Sequence, residues 1–476
     1  MAIAPTFGTL IPTLAKGAIT PGSYLDFTSG AGNDFSQQYL PEIYEQEIER
    51  YGNRTLSGFL SMVGAEMPMT SDQVVWSEQN RLHISYNACT IAANNDATIT
   101  IEDSAGSIAA GKNQAIRLNS LIVVIDPVTG TESKAIVKGT TATTVEAHPF
   151  GAATWPGALV GTPLKVFVFG SEFNKGTGGQ ADTIDPQFTQ FSNSPIIIKD
   201  KYGVNGSDTA QIGWVEIATE AGDSGFLWYL KAEGETRLRF NDYLEMTLVE
   251  AEKAVAGTGG ISADAQGAKG TEGLFAAIEG RGNVVTGYGG TLPEFDDILK
   301  NLDSQGAIEE NMLFLDRQTS LDIDDMLAGL SAGANGGTAY GLFENSADMA
   351  LNLGFTGFRR GSYDFYKTDW KYLNDASTRG GDNSFAAGDS DNIDGVLIPA
   401  GTSTVYDQTL GTNIRRPFLH TRYRASEADD RRMKSWITGS VGGVYTSDED
   451  QMNVHFLSER CLCVQGANNF VLFKAS

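Results

Sequence analysis

The chain has 476 residues, 41% of them hydrophobic and 20% charged, a balance that builds a sizeable core and excludes global disorder. Lys plus Arg number 34 against 59 for Asp plus Glu, a net charge of −25, so nucleic acid, held chiefly through basic contacts to phosphate, is not expected to be its main ligand. No run has the length of a membrane span, and Met1–Gly17 lacks the charged start and unbroken apolar core of a signal peptide. The expectation is a soluble protein made in a cytoplasm.

Residues 1 to about 36 are rich in Gly, Ser, Thr and Pro and have no helical period. They read as a frayed terminus or as an arm that orders only across a neighbouring subunit, with Phe7, Leu10, Ile11, Leu14, Tyr24, Leu25 and Phe27 as its apolar groups. From Tyr39 to Met62 the pattern turns helical, through Leu40, Ile43, Tyr44, Ile48 and Tyr51. From Val74 to Phe169 the period is two, and short strands separated by turn residues predict a small β-barrel or sandwich. Within it LIVVID and ESKAIVK flank a hairpin turn at Pro127–Gly130. Gly176, Gly178 and Gly179 mark the return.

Asn193–Ala256 is the most informative stretch. A β-branched run, Ile196, Ile197 and Ile198, leads into a long helix signal. Phe240, Leu244, Leu248, Ala251 and Val255 recur every three to four positions and lay one apolar stripe. Gly257, Gly259 and Gly260 are expected to end that helix. A glycine-punctuated loop follows, then a mixed α/β region. LPEFDDILKNLDSQG predicts a helix with Phe295, Ile298, Leu299 and Leu302 inward, MLFLD a buried strand, and TSLDIDDMLAGLSA a second helix. Phe365–Leu373, VLIPAG and STVYD are predicted strands, and Asp375–Asp394 a polar loop. The closing VHFLSERCLCVQGANNFVLFKA reads as two strands about an Asn/Gly turn.

Motifs that could carry chemistry are weak. GDSGF at Gly222–Phe226 would need Ser224 activated by His148, but Phe226 replaces a glycine and only 76 residues separate the pair. GSIAAGK at Gly106–Lys112 has the glycine and lysine spacing of a phosphate loop, yet Asn113 stands where Mg²⁺ needs a hydroxyl. Asp389, Asp391 and Asp394 faintly suggest a calcium loop, but Ile393 occupies a ligand position. Asp322, Asp324 and Asp325 are explained by the N-terminus of a helix, where acids favour the dipole. Cys89, Cys461 and Cys463 form no even framework, and the chain's four His complete no tetrahedral metal set with the Cys461/Cys463 pair. They are expected to be buried small hydrophobes. No cofactor and no metal is expected. Arg415, Arg416, Arg422, Arg424, Arg431, Arg432 and Lys434 form a basic cluster in this acidic chain, read as a strip that meets the acidic surface of the next copy and fixes register.

NSPIIIKDKYGVNGS leading into the long helix, SYDFYKTDWKYL, VLIPAG and SERCLCVQGANNFVLF resemble the major capsid proteins of tailed bacteriophages. The resemblance covers most of the chain in the order of its elements. It implies an α+β, HK97-type capsid fold. The expected layout is an N-terminal arm and short helix (1–62), an extended loop with an inserted small β-barrel or sandwich (63–192), a peripheral domain with a spine helix (193–260), an axial α/β domain (261–400) and a C-terminal β return (401–476). It also implies a non-enzymatic head protein that assembles with copies of itself as hexamers and pentamers into an icosahedral shell. That shell would be built in the host cytoplasm, enclose packaged double-stranded DNA, and meet scaffolding, portal and decoration proteins, with no membrane. The subunit-contact candidates are Phe7, Leu10, Leu14, Tyr24, Phe27, Arg415, Arg416, Arg422 and Arg424. Some relatives cross-link Lys to Asn, for which Lys112 and Asn468 or Asn469 are the nameable pair. The alternatives are an encapsulin-like shell, a tail component, or a Ser224 hydrolase.

Overall fold

The computed structural model describes residues 66–79, 82–103, 106–107, 113–180, 183–184, 188–210, 217–218, 224–225, 228–255, 262–306, 308–331, 357–375, 377–382, 392–400, 402–407, 412–441 and 445–475. The chain divides into two units, Trp76–Phe191 and the remainder.

After β1 (Glu66–Met69), strand β2 (Val74–Gln79) opens the Trp76–Phe191 unit. It contains β3 (Ser85–Ile91), β4 (Thr98–Thr100), β5 (Ser120–Ile125), β6 (Glu132–Thr140), β7 (Thr144–Pro149) and β8 (Leu164–Ser171). These six close into a barrel in the order β8-β3-β4-β7-β6-β5. Alternation makes it: Ile91, Ile99, Ile122, Val124, Ala135, Val137, Val145, Ala147, Leu164 and Val166 all point inward and are fully buried. Trp155 completes this core and donates its indole N–H to the Asp96 carbonyl at 2.9 Å. The β5–β6 turn lies where its residues predict it. The Asp126 carboxylate accepts from the Val128 N–H (2.9 Å) and the Thr129 hydroxyl (2.6 Å), bonds that hold its pKa below the usual value. Gly130 then takes φ +71°. Strand β9 (Phe188–Asn193) pairs with β2 as the chain leaves the barrel.

The other unit contains two larger sheets. Strand β10 (Ile196–Asn205) is followed by helix α1 (Trp228–Glu250). Helix α2 (Leu274–Arg281), strand β11 (Asn283–Thr286), helix α3 (Leu292–Gln305), strand β12 (Glu310–Leu315) and helix α4 (Arg317–Ser331) come next. Strands β13 (Gly357–Arg360), β14 (Tyr363–Asp369) and β15 (Ile393–Pro399) precede the hairpin of β16 (Thr402–Asp407) and β17 (Thr412–Pro417). The chain closes with β18 (Leu419–Arg424), β19 (Lys434–Gly439), β20 (Gln451–Val464) and β21 (Val471–Lys474).

One sheet runs β1-β18-β20-β10, with β19 also on β20. Helix α1 packs across its face: Phe240 and Leu244 meet Val204, Met452, Val454 and Phe456, with the Phe240 and Phe456 rings 5.9 Å apart. The second sheet runs β11-β21-β15-β12-β14-β13. Leu313 and Leu315 of β12 face α3 and α4 through Phe295, Ile298, Leu302, Ile323 and Leu327. Phe314 points the other way, toward α2, Trp370 and Leu248 at the end of α1. This is a helix–sheet–helix sandwich.

Three expectations are corrected. Helix α1 ends at Glu250, so Ala251 and Val255 lie beyond it and Val255 is 79% exposed. The chain there turns extended: the Ala251 carbonyl accepts from the Gly273 N–H (2.7 Å), and Lys253 bridges Gly270. A Cβ on Gly270 would sit 2.2 Å from the Glu252 carbonyl, so that approach needs glycine. The strand read from Phe365 stops at Asp369, and Lys371–Asn374 is a helical turn. Asp324 owes its place to Lys367, 2.6 Å away and 6% exposed, and not to the dipole of α4. The residue capping that helix is Asp316, whose carboxylate accepts the Thr319 N–H at 2.8 Å.

At the end of α1 an acid faces the negative pole of the helix, which costs stability unless a cation answers it. Arg379 does: its guanidinium takes both Glu250 oxygens, one at 2.7 Å, and lies over the Phe275 ring at 5.3 Å. The Tyr372 hydroxyl donates to Glu250 at 2.5 Å, and burial followed by this carboxylate pushes the phenol's pKa well above normal. A double-mutant cycle with Glu250→Gln and Arg379→Gln, read by urea unfolding, is expected to give a coupling of about 1–2 kcal/mol. Additive single effects would show the fork contributes nothing.

Candidate assembly interface

The basic cluster lies on and beside β18. This strand runs parallel to β1, with Arg422 opposite Met67 and Arg424 opposite Met69, and antiparallel to β20. Arg424 donates to Glu459 at 2.7 Å and to the Thr70 carbonyl at 3.2 Å, and it also pairs with Asp72. The second Glu459 oxygen takes Arg431 at 2.6 Å. Arg460, 7% exposed, reaches Glu66 at 2.7 Å and donates to the Arg432 carbonyl at 2.9 Å, while Arg432 itself pairs with Glu66. Burial is the main influence on Arg460 and lowers its pKa against the pull of Glu66. The network holds β1 to the sheet.

Arg424 therefore spends its charge inside its own chain, unlike the open strip read from the sequence. Arg422 stands opposite Cys461 and is also engaged within the chain. Arg415 and Arg416 lie on β17, opposite Thr404 and Ser403, with side chains outside the described residues. Phe7, Leu10, Leu14, Tyr24 and Phe27 also fall outside them. The partners of the arginines, Glu66, Asp72 and Glu459, were not singled out by sequence. No local signal could find them, since Glu66 and Arg460 are 394 positions apart.

The barrel unit leaves several apolar residues open. On its outward rows, Phe167–Val123–Lys134 and Leu121–Ile136–His148 across β8, β5, β6 and β7, Val123 is buried and Phe167, Leu121 and Ile136 are half-buried. Phe169 is 50% and Phe150 55% exposed beside them, and Val128 at the hairpin tip is 91% exposed.

Among the described residues, the chemical candidates gather into no site within either unit. His148 belongs to the barrel unit and lies 3.4 Å from Glu146, while Ser224 belongs to the other unit, in a two-residue strand pairing with Ile217–Ala218. Gly106 and Ser107 pair with Glu102 and Asp103; Ile108–Lys112 lie outside the described residues, as do Asp389 and Asp391. Asn468 and Asn469 sit in the turn between β20 and β21, where the Asn468 carbonyl accepts from Asn283 at 2.6 Å. Cys461 and Cys463 are buried free thiols on one face of β20, with His420 opposite Cys463. Among the described residues no group of three or more His, Cys, Asp or Glu is placed to hold a metal, and no helix is long and apolar enough to cross a membrane.

Asp394 does have an altered acidity. Burial, then the charges of Asp316 and Asp322, push its pKa up to about 6. Folded Asp394 thus keeps its proton at pH values where the unfolded chain has released it. Its contribution to stability is full at low pH and is lost as pH rises through about 6. Asp394→Asn is expected to raise stability above pH 7 by about 1–2 kcal/mol and to flatten the fall between acid and neutral pH. Thermal melts across pH that superimpose on wild type would contradict this.

No family model matches the chain, and neither does any curated protein. The chain is similar to solved structures of phage capsids. With the capsid structure of the cyanophage P-SCSP1u it shares 8% identity and a TM-score of 0.40, covering 97% of this chain and 99% of that one. For the asymmetric unit of the bacteriophage PhiM1 mature capsid the values are 10%, 0.38, 95% and 97%. For the Microbacterium phage Oxtober96 structure they are 11%, 0.36, 93% and 96%.

Proposed function

We propose that this chain is the major head protein of a tailed phage. Copies of it would tile as hexamers and pentamers into a closed icosahedral shell around double-stranded DNA, with scaffolding, portal and decoration proteins as further partners. The observation that carries the reading is the order of elements along one chain. A barrel leaves and returns through the β2/β9 pair, a ten-residue strand and a 23-residue helix follow it, and then comes a three-layer α/β body whose last strand, β21, completes its sheet. This is the order that the sequence resemblance implies.

The exposed Phe150, Phe169 and Val128 of the barrel are compatible with contacts to neighbouring copies. In this reading the arm residues Phe7, Leu10, Leu14, Tyr24 and Phe27 and the β17 residues Arg415 and Arg416 contact neighbours. The protein's place is the virion. Negative-stain electron microscopy of the purified, concentrated chain tests it. Closed polyhedral particles are expected, and a population of monodisperse monomers at every concentration would end the reading.

A further inference from the structure

Two features of the β1-β18-β20-β10 sheet keep charge and aromatic surface exposed, although Glu449 accepts from the Gln451 amide within its own chain. The first is the sheet face turned away from α1. Ile198, Tyr202 and Val204 of β10 point toward the helix, so Ile197, Lys199 and Lys201 point out, and all three are exposed. Register sets Lys201 beside His455 and His455 beside Trp436, while Lys199 stands beside Leu457 and Leu457 beside Lys434. The Trp436 and His455 rings stack at 5.1 Å and 14°, and His455 Nε2 meets the Thr438 hydroxyl at 2.8 Å. The stack fixes an indole that is still 37% exposed. Lys434 is taken by Asp429 at 2.7 Å. Lys199 and Lys201 have no acidic partner among the described residues.

The second feature is the loop between β19 and β20. Tyr445 there is 84% exposed, and Asp448, Glu449 and Asp450 are all exposed. The described part of the loop is nevertheless held in shape. The Thr446 N–H donates to the Gly439 carbonyl (2.8 Å), the Gly439 N–H donates to the Thr446 hydroxyl (2.9 Å), and the Ser440 hydroxyl donates to the Glu449 carbonyl (2.5 Å). Gly439 takes φ +134°, and a Cβ there would fall 1.9 Å from the Gln451 carbonyl.

Loop and strip cannot meet within one sheet. Gln451 faces Asn205, four positions past Lys201, or roughly 13 Å along the strand, and the acids lie further out. We propose that copies of this chain join head to tail, the Tyr445–Asp450 loop of one seated on the Lys199, Lys201 and Trp436 strip of the next. Three acids meet two free lysines, and the exposed tyrosine covers the exposed indole. A contact of this kind, between two different patches, closes copies into rings when its rotation closes and otherwise extends them as a filament. Opposite charges at its two ends set register and speed encounter. The inference rests on the shell reading and names one of its contacts.

The test mixes isotope-labelled and unlabelled protein, assembles it, and applies a zero-length carbodiimide. Peptides joining Lys199 or Lys201 to Asp448 or Glu449 across the two isotopes are expected. The Lys199→Glu, Lys201→Glu variant, checked for folding by circular dichroism, is expected to associate at least about tenfold more slowly by light scattering. Its rate should recover when mixed with an Asp448→Lys, Glu449→Lys chain. Wild-type particles that lack the mixed-isotope peptide, together with a reversed variant that assembles as wild type does, would overturn this contact while leaving the shell reading intact. A wild-type chain that never associates would overturn both.

Discussion

Asn193→Ala is expected to destabilise the chain by about 3–4 kcal/mol, far more than one surface amide should contribute. Asn193 is 1% exposed and every polar atom of its side chain is used. The amide nitrogen donates to the carbonyls of Glu272 at 2.9 Å and Leu462 at 2.7 Å. The amide oxygen accepts the Glu272 N–H at 2.8 Å, the Thr271 hydroxyl at 3.1 Å and the Ser194 N–H at 2.9 Å. Truncation strips these bonds and leaves several backbone groups dry and unpaired, which costs more than the bonds themselves. Asn193→Asp should be no better, because it aims a buried carboxylate at two carbonyl oxygens. Guanidinium unfolding followed by circular dichroism reads the effect as a lower midpoint at unchanged slope. A loss below about 1 kcal/mol would mean that water replaces the amide there.

Phe240→Ala is the second large effect, expected at about 3–5 kcal/mol. Its ring is fully buried between α1 and the β10/β20 face, against Phe456. Deleting it removes apolar burial and leaves a cavity that a long, stiff helix and a twisted sheet cannot collapse to fill. Leu238 and Tyr243 on the same helix are 40% and 43% exposed, so Leu238→Ala and Tyr243→Ala should each cost less than about 1 kcal/mol. Equal losses at all three positions would show that helix propensity, and not this stripe, fastens α1.

The sequence was most legible where structure is local. The β5–β6 turn is written in Asp126, Thr129 and Gly130, which bond to one another within five residues. The stripe of Phe240, Leu244 and Leu248 is likewise set by a period that any helix must obey. What stayed hidden depends on partners distant in the chain. Nothing in residues 251–255 announces that Gly270 and Gly273 will draw them out of the helix, so the periodic pattern ran five residues too far. Phe365–Leu373 reads as one strand, yet Trp370 and Tyr372 turn into a cluster with Phe275 and Phe314 that no period encodes. The arginines of 422–432 looked like a charged strip because Glu66 and Glu459, which neutralise several of them, stand far away in sequence. Asn193 headed the most informative stretch, but its five bonds reach residues up to 269 positions on.

β20 and β21 were read as neighbours about a turn, and here topology carries a consequence for biosynthesis. They do not pair with each other: β20 lies between β10 on one side and β18 and β19 on the other, while β21 lies between β11 and β15. Both sheets therefore wait for an inner strand that follows every other strand in the order of synthesis. A ribosome-bound chain can complete its barrel early, but until residues 451–474 emerge β10 stays apart from β18 and β19 in one sheet, and β11 stays apart from β15 in the other. Such late, long-range closure makes for slow folding. It also means that a nascent copy cannot offer the finished faces of these two sheets to its siblings before residues 451–474 are made.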